Sequence, residues 1–246
     1  MSLRGVMAIR VRSRPARVPA RRSVLDDRED VLLAHDEEIL FVELEFRPRV
    51  LGVEDLVALL DVHGLALAVL DVAGAAPQVA RLVKPGASVC IFGAGGKSGI
   101  LCAAEARRTG GKTSRVIGIE SHAPFANDLR ALGICDEVLS LDARDPVAVR
   151  SAVLAANIGR EVDLSFSCVN VTDAEMSAIL VTRDRGIAYF FAMSTSFTKA
   201  ALGAEGVGKD VDLMIGNGYA HGHADHSLAM MRDMPAIRAL FEKRYG

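Results

Sequence analysis

Short apolar runs alternate with longer amphipathic segments from residue 54 to the C-terminus. The runs are nearly continuous, which is typical of strands that are covered by helices on both faces of a parallel sheet. They are Val89–Phe92, Val116–Ile119, Glu137–Leu141, Val162–Ser167, Ile187–Ala192 and Val211–Ile215. The pattern predicts an α/β fold, a Rossmann-type doubly wound parallel sheet of about six strands within residues 54–246.

The segments between these runs have the hydrophobic spacing of helices. The predicted helices are Leu56–Val83, with breaks near Gly64 and Gly74, Lys97–Thr109, Pro124–Leu132, Pro146–Asn157, Asp173–Val181 and Phe197–Leu202, with two more from His223 and from Pro235. Gly133 is placed to end one helix in a left-handed conformation, and Thr172 is placed to cap the start of another.

A glycine cluster follows the first predicted strand, in the stretch Ser88-Val-Cys-Ile-Phe-Gly-Ala-Gly-Gly-Lys-Ser-Gly99. A strand, a tight turn and a helix N-terminus in this order bring backbone N–H groups against a pyrophosphate, and Lys97 is placed to neutralise phosphate charge. The turn matches the first half of the dinucleotide fingerprint, but its sixth position is Ser98, with a glycine one place later. A Walker A loop is excluded because Ile91 stands where the first glycine of that motif would be.

Glu120 ends the second predicted strand. An acidic residue at this position accepts hydrogen bonds from the adenosine ribose, and its charge repels a 2′-phosphate. We therefore expect NAD rather than NADP as the cofactor. His122 and Arg130 nearby leave some use of NADP open, and a glutamate that simply caps the helix from Pro124 is the structural alternative.

Ligands of doubly wound sheets bind at the carboxyl ends of the strands, where the strand order reverses. Asp142 and Ala143 are placed to border the adenine, and Asn170 with the Ser194-Thr195-Ser196 cluster to face the nicotinamide and the substrate. The residues predicted to bind the cofactor are Gly93, Ala94, Gly95, Gly96, Lys97, Ser98, Glu120, Ser121, Asp142, Ala143 and Asn170.

Composition narrows the class of protein. The 246 residues are 50% hydrophobic, with 29 basic and 31 acidic side chains, which does not suit a nucleic-acid partner. No apolar run reaches the roughly 20 residues that cross a bilayer, so no membrane partner is expected. The four cysteines form no CxxC pair, which favours reduced thiols in a cytoplasmic protein. Cys168, at a strand end, is a candidate catalytic thiol, although a core role is favoured.

The first 25 residues contain seven arginines and no acidic side chain. Such a composition occurs in organelle transit peptides, and nucleic-acid binding by this arm is a remote option. A disordered arm or a misassigned start is favoured, because no amphipathic repeat runs between Pro15 and Pro19. Residues 1–30 are therefore predicted to be disordered.

Several strings of the chain closely resemble the L-erythro-3,5-diaminohexanoate dehydrogenase family of lysine fermentation. The strings are Leu65–Gly74, Ala80–Gly86, Gly93–Gly99, Ser196–Gly206, Gly216–Tyr219 and Leu240–Tyr245. The resemblance implies a zinc-free relative of the medium-chain dehydrogenases, with a GroES-like catalytic domain beside a Rossmann domain. It also implies NAD-dependent oxidative deamination of 3,5-diaminohexanoate, a CH–NH₂ donor, to 5-amino-3-oxohexanoate with release of ammonia.

The chain departs from this family before residue 65. The segment Asp36–Glu43 looks like an early strand of the catalytic domain, yet only about twenty residues separate it from Leu65. Residues 31–53 are thus expected to be a remnant of the GroES-like domain. An apolar face left where that domain docks would favour a homo-oligomer, most simply a dimer.

Oxidation of an amine needs a neutral nitrogen and a general base with a pKa near the working pH. His221, His223 and His226 are candidates, and their spacing also permits a metal site, although no metal is expected because no ligand set is complete. Lys199 is a candidate to anchor the substrate carboxylate, or to act as a base if it is desolvated. The hydroxyls of Ser194, Thr195 and Ser196 are candidates to bind the substrate, and helix capping is the alternative role.

Two other functions remain open on the sequence. One is a catalytically impaired NAD-binding remnant, which the short N-terminal region favours. The other is a generic medium-chain quinone or enoyl reductase, for which NADPH preference would be expected and against which Glu120 argues.

Overall fold

The computed structural model of the chain describes residues 29–35, 38–44, 63–216 and 218–245. Strands β1, Glu29–His35, and β2, Glu38–Leu44, form an antiparallel pair in which Glu29 faces Leu44 and His35 faces Glu38. β2 covers most of the predicted strand at Asp36–Glu43, and β1 includes two residues that the sequence analysis predicts as disordered. The arginine-rich segment 1–28 lies outside the described residues.

Residues 63–245 alternate between helices and strands as the apolar pattern predicts. The elements in chain order are α1 His63–Leu70, α2 Ala75–Leu82, β3 Ser88–Phe92, α3 Lys97–Gly110, β4 Arg115–Ile119, α4 Ala123–Leu132, β5 Glu137–Leu139, α5 Pro146–Ala156, β6 Val162–Ser167, α6 Glu175–Val181, β7 Thr182–Phe190, α7 Phe197–Gly206, β8 Asp212–Ile215, α8 His223–Asp233 and α9 Pro235–Tyr245. In this part of the chain the strands form a six-stranded parallel sheet in the order β5-β4-β3-β6-β7-β8. The predicted doubly wound α/β fold is confirmed.

The strand order places a crevice between β3 and β6. The chain moves outward from β3 through β4 to β5 and then returns to the other side of β3 with β6. Helices on the two sides of the sheet diverge at such a reversal, which opens space at the carboxyl ends of the two strands. Phe92 on β3 and Phe166 on β6 are fully buried beneath this edge, so the floor of the crevice is solid core.

Some of the predicted helix ends and breaks are present in the structure and others are not. Gly133 ends α4 with φ 63°, as predicted. The prediction that Thr172 caps a helix is wrong, because α6 begins after Ala174 and Asp173 between them has a positive φ of 68°. The break at Gly74 is present, as this residue precedes α2, whereas Gly64 lies inside α1.

β7 begins five residues earlier than its apolar run. Thr182 is buried, and its hydroxyl bonds to Ser165 Oγ at 2.8 Å and to the Ala178 carbonyl oxygen at 2.7 Å. The residues that follow are exposed and charged, which hides the strand from a hydrophobicity pattern. Among the described residues, no helix is both long and apolar enough to cross a bilayer.

Candidate cofactor site at the glycine turn

The glycine turn lies at the carboxyl end of β3, beside the end of β6. Gly93 has a φ of 69°, and its N–H donates to the Ile119 carbonyl oxygen at 2.9 Å. A Cβ on Gly93 would lie 2.9 Å from the Cα of Val169, closer than real Cβ contacts. Both the backbone conformation and the close approach therefore require glycine here.

Gly99 explains the departure from the dinucleotide fingerprint. A Cβ on this residue would lie 2.0 Å from the Gly93 carbonyl oxygen, so helix α3 can only approach the turn if position 99 is glycine. This is the role of the last fingerprint glycine, displaced here by one residue past Ser98. Gly96 precedes α3, and the first N–H groups of that helix, from Lys97 on, point toward the turn.

Glu120 connects the end of β4 to the glycine turn. The residue is 8% exposed, and its carboxylate accepts hydrogen bonds from the Gly95 N–H at 3.0 Å and from the His122 N–H at 2.9 Å. A Cβ on Gly95 would lie 2.7 Å from Phe125 Cβ and 2.9 Å from the carboxylate. The capping alternative is wrong, because the N-cap of α4 is His122 and no side chain caps that helix. Glu120 bonds to the N–H of the N-cap residue and holds the middle of the turn.

A small cavity of about 90 Å³ opens beside Glu120. Its lining residues come from the carboxyl ends of β3, β4, β5 and β6: Gly93, Ile119, Glu120, Ser121, Leu141, Asp142, Ala143, Arg144, Val169 and Val171. Five of the predicted cofactor residues meet here. Asn170 is exposed and is not among the lining residues.

Asp142 at this cavity carries a firmly ionised carboxylate. The backbone and guanidinium of Arg144 donate to it, at 2.6 Å for the shortest contact, and lower the pKa of Asp142 to about 2. Its negative charge is therefore balanced by a neighbouring cation before any ligand binds.

Lys97, the predicted phosphate contact, has partners within the protein. Its Nζ lies 2.5 Å from Asp71 Oδ2 and 5.6 Å from the centre of the Tyr245 ring. About a third of the side chain is exposed.

The hydroxyl cluster after β7 makes local structural contacts. Ser194 Oγ donates to the Val171 carbonyl oxygen at 3.2 Å, which joins the ends of β7 and β6. Ser196 caps α7, and its N–H donates to Glu175 Oε1 at 2.6 Å. Thr195 belongs to the turn between them, where its N–H donates to the Ala192 carbonyl oxygen. The capping role that the sequence left as an alternative is thus present at Ser196.

Lys199 is not in the state that a general base requires. Its Nζ lies 2.5 Å from Asp173 Oδ1, and its side chain is 61% exposed. The hydrogen bond with Asp173 raises the pKa of Lys199 above its ordinary value, which keeps the amine protonated. The predicted role of Lys199 as a base required a desolvated amine, and the amine is exposed, so that prediction is wrong. A protonated amine is still compatible with anchoring an anion.

The three candidate histidines, His221, His223 and His226, contact different parts of the structure. His226 turns to α3, with Nε2 3.3 Å from Glu105 Oε2, whereas His223 at the start of α8 bonds through Nδ1 to the Ala220 carbonyl oxygen at 2.9 Å. His221 is exposed in the turn before that helix. Within the described residues, no three His, Cys, Asp or Glu side chains are grouped closely enough to hold a metal ion.

Cys168 lies behind the turn against a second thiol. Its Sγ is 3.6 Å from Sγ of the buried Cys102 on α3. The hydrogen bond with Cys168, together with burial, raises the pKa of Cys102 well above its ordinary value, so Cys102 is a neutral thiol. Packing of this kind fits the core role that the sequence favoured.

Sequence reasoning missed Arg244, on α9. Its Nη1 donates to the Gly95 carbonyl oxygen at 2.6 Å, and its Nη2 lies 2.7 Å from Asp128 Oδ2. The residue lies 149 positions from the turn. The available signal was the string Leu240–Tyr245, which carries the family resemblance but assigns no role to its members.

Two curated relatives match about three quarters of the chain. No protein-family model matches. A relative named L-erythro-3,5-diaminohexanoate dehydrogenase, from Acetoanaerobium sticklandii, is 55% identical over 181 residues, which cover 74% of this chain and 53% of the relative. One of the same name from Fusobacterium nucleatum is 49% identical over 183 residues, with the same coverage. The chain thus spans about half the length of the curated relatives it matches.

Solved structures share the fold at lower identity. The structure of AibC has a TM-score of 0.55 at 21% identity and covers 68% of this chain and 49% of its own. An alcohol dehydrogenase from Aeropyrum pernix has a TM-score of 0.54 at 19% identity, covering 82% of this chain and 58% of its own. A putative alcohol dehydrogenase from Thermotoga maritima has a TM-score of 0.53 at 18% identity, covering 73% and 49%. Over the part that aligns with its curated relatives, the chain is a homologue of the L-erythro-3,5-diaminohexanoate dehydrogenases.

Proposed function

We propose that this chain binds NAD at the glycine turn and serves the oxidative deamination of L-erythro-3,5-diaminohexanoate to 5-amino-3-oxohexanoate, with release of ammonia. The observation that carries the proposal is the Glu120 carboxylate, held by the Gly95 N–H inside a turn that two crowded glycine positions keep open. The identity of about half of the aligned residues to the two named dehydrogenases supports the reaction.

The residues of the turn fit the pyrophosphate and adenosine part of a dinucleotide. Gly93 and Gly99 keep side chains out of the turn, so a pyrophosphate can reach the backbone N–H groups at the start of α3. Glu120 can accept the ribose hydroxyls on lone pairs that Gly95 and His122 do not use. A 2′-phosphate beside a carboxylate that is nearly buried would be repelled, which favours NAD over NADP.

NAD, when bound, would supply the hydride acceptor for the oxidation, and water would hydrolyse the resulting imine to the ketone and ammonia. The chain must hold the substrate and take a proton from its ammonium group, because only the neutral amine can lose hydride. Of the predicted bases, His226 is occupied by Glu105, and Lys199 is kept protonated by Asp173. We assign the base to His221 or His223, which follow β8, and the anchoring of the substrate carboxylate to Lys199.

The test is NADH absorbance after the protein is mixed with NAD and L-erythro-3,5-diaminohexanoate, with NADP in parallel. We expect NADH to form, and NADP to support a slower reaction. Glu120→Gln removes the charge at the ribose. The ratio of the reaction rate with NAD to the rate with NADP should therefore fall about tenfold, which corresponds to the loss of one charge-assisted hydrogen bond.

Glu205→Gln, an exposed residue of α7, is the matched control and should leave the difference unchanged. NADP turnover equal to that of NAD in the unaltered protein would contradict the assignment of Glu120. Absence of both reactions would contradict the proposed activity.

A second candidate function is NAD binding without turnover. It needs only the nucleotide contacts of the glycine turn, where Glu120 accepts the Gly95 N–H, and no group that takes a proton from a substrate. Nucleotide binding by fluorescence, measured on the preparation used for the assay, separates it from the first: NADH binds under both proposals, and only the first predicts turnover.

A further inference from the structure

We propose that Arg244 is a positioning residue for the glycine turn and that, through Gly95 and Glu120, it sets the preference for NAD over NADP. The inference rests on the proposed function of the turn as the dinucleotide site. It extends that function to the last helix, α9, to which the sequence assigned no role.

Arg244 is held on three sides. Its Nη1 donates to the Gly95 carbonyl oxygen at 2.6 Å, and its Nε and Nη2 lie 3.2 and 2.7 Å from Asp128 Oδ2 on α4. The guanidinium carbon lies 4.0 Å from the centre of the Phe125 ring. The side chain is 8% exposed, and a charge so far from water is retained only in a geometry that satisfies it.

Both polar groups of Gly95 are therefore fixed by side chains. Its carbonyl oxygen accepts from Arg244, and its N–H donates to Glu120. Glycine has the widest choice of φ and ψ of any residue, so without these two bonds its backbone could rotate between several conformations. Loss of the Arg244 bond would release the carbonyl, and rotation of Gly95 would withdraw the N–H that aims the Glu120 carboxylate. Arg244 thus acts on the ribose through two other residues.

The positive charge of Arg244 is also kept from a 2′-phosphate. A guanidinium that bonds to the same glycine as the acidic residue of the ribose would be expected to attract NADP. Asp128 neutralises it, and the hydrogen bonds of Arg244 and Lys243 hold the pKa of Asp128 below its ordinary value. The guanidinium of Arg244 also donates to the Gly95 carbonyl oxygen, so that this N–H group is not available to a phosphate. The same side chain therefore supports the NAD-selecting carboxylate without offering a site to NADP.

The experiment measures the dissociation constants of NADH and NADPH by fluorescence for the unaltered chain, Arg244→Gln and Arg238→Gln. Arg238 is the matched control, because it lies on α9, is 48% exposed and pairs with Glu242. For Arg244→Gln we expect the constant for NADH to rise about tenfold and that for NADPH to rise less, so that their ratio moves toward one. Arg238→Gln should bind both as the unaltered chain does. A purely structural role of Arg244 would weaken both equally and leave the ratio unchanged, which would overturn the inference.

Asp128→Asn keeps the inference testable if Arg244→Gln fails to fold by circular dichroism. This variant retains Arg244 but leaves its charge unbalanced, so NADPH should gain affinity relative to NADH. An unchanged ratio in Asp128→Asn would overturn the inference. If the unaltered, folded chain binds neither nucleotide, the proposed function fails and this inference with it; if it binds NADH and the ratios do not move, only the inference fails.

Discussion

Two glycines at the turn are set by contacts that leave no room for a methyl group. Gly93 faces the backbone of Val169 and Gly99 faces the carbonyl oxygen of Gly93, and neither neighbour is a side chain that could move aside. The sequence predicted the first of these from the fingerprint. Gly99 stood out in the sequence only as a departure from the fingerprint, because the spacing of the motif does not describe how closely α3 approaches the turn.

Gly99→Ala tests this crowding. The added Cβ would lie 2.0 Å from a backbone oxygen, so either α3 or the turn must shift. We expect the free energy of unfolding in urea to fall by about 1–3 kcal/mol, the usual cost of overpacking, and NADH affinity to fall with it. Gly206→Ala, at the end of α7, is the control. Among the described residues, and apart from its chain neighbours and the backbone of its own helix, no heavy atom lies within 4 Å of the Cβ it would add, so the stability should not fall. A Gly99→Ala variant as stable and as tight-binding as the unaltered chain would contradict the geometry.

A cluster of charged and polar side chains around the buried carboxylate of Glu105 joins α3 to α8. Glu105 is fully buried on α3 and accepts hydrogen bonds from Arg108 and Thr109, and its Oε2 lies 3.3 Å from Nε2 of His226 on α8. Burial alone would raise the pKa of Glu105, but the hydrogen bonds from His226, Arg108 and Thr109 together lower it below its ordinary value. A carboxylate with a lowered pKa stabilises the fold above its unfolded pKa, and this contribution is lost as the pH falls through the folded pKa.

Glu105→Gln removes the charge of this cluster. We expect the free energy of unfolding to fall by about 1–3 kcal/mol at neutral pH, since hydrogen bonds between charged groups are lost. The difference from the unaltered chain should shrink as the pH is lowered below the ordinary Glu pKa of 4.5. Glu242→Gln, in the exposed pair with Arg238, should change stability by about 0.5 kcal/mol or less. A difference for Glu105→Gln that is constant across this pH range would argue against the cluster.

The sequence predicted the elements that consist of buried apolar residues. The prediction failed where an element begins with polar residues. β3, β4 and β6 are buried on both faces, so their composition alone identifies them. The first half of β7 is exposed and charged, and Thr182 enters the core through its hydroxyl bonds. In the site, Glu120 was predictable because it ends a strand next to the turn. Arg244 was not, because its contact with Gly95 depends on how α9 packs against α1, α4 and α8.

In the part of the chain that the structure describes, a larger and a smaller cavity open at opposite ends of the strands of the parallel sheet. The larger, of about 740 Å³, opens where β3, β4 and β6 begin, and its lining includes Ser88, Arg115 and Asp163. The smaller opens where the same strands end, beside Glu120. Size alone would favour the larger for a ligand. The glycine turn, the start of α3 and the reversal of strand order all favour the opposite edge.

Amide hydrogen exchange with and without NADH tests whether the nucleotide binds at the glycine turn. We expect slower exchange in residues 93–100 and 120–122, where N–H groups would face the pyrophosphate or surround Glu120. We expect no change in residues 112–115 and 158–161, which line the larger cavity. Protection confined to those latter segments, or none at residues 93–100 when NADH is saturating, would contradict the site.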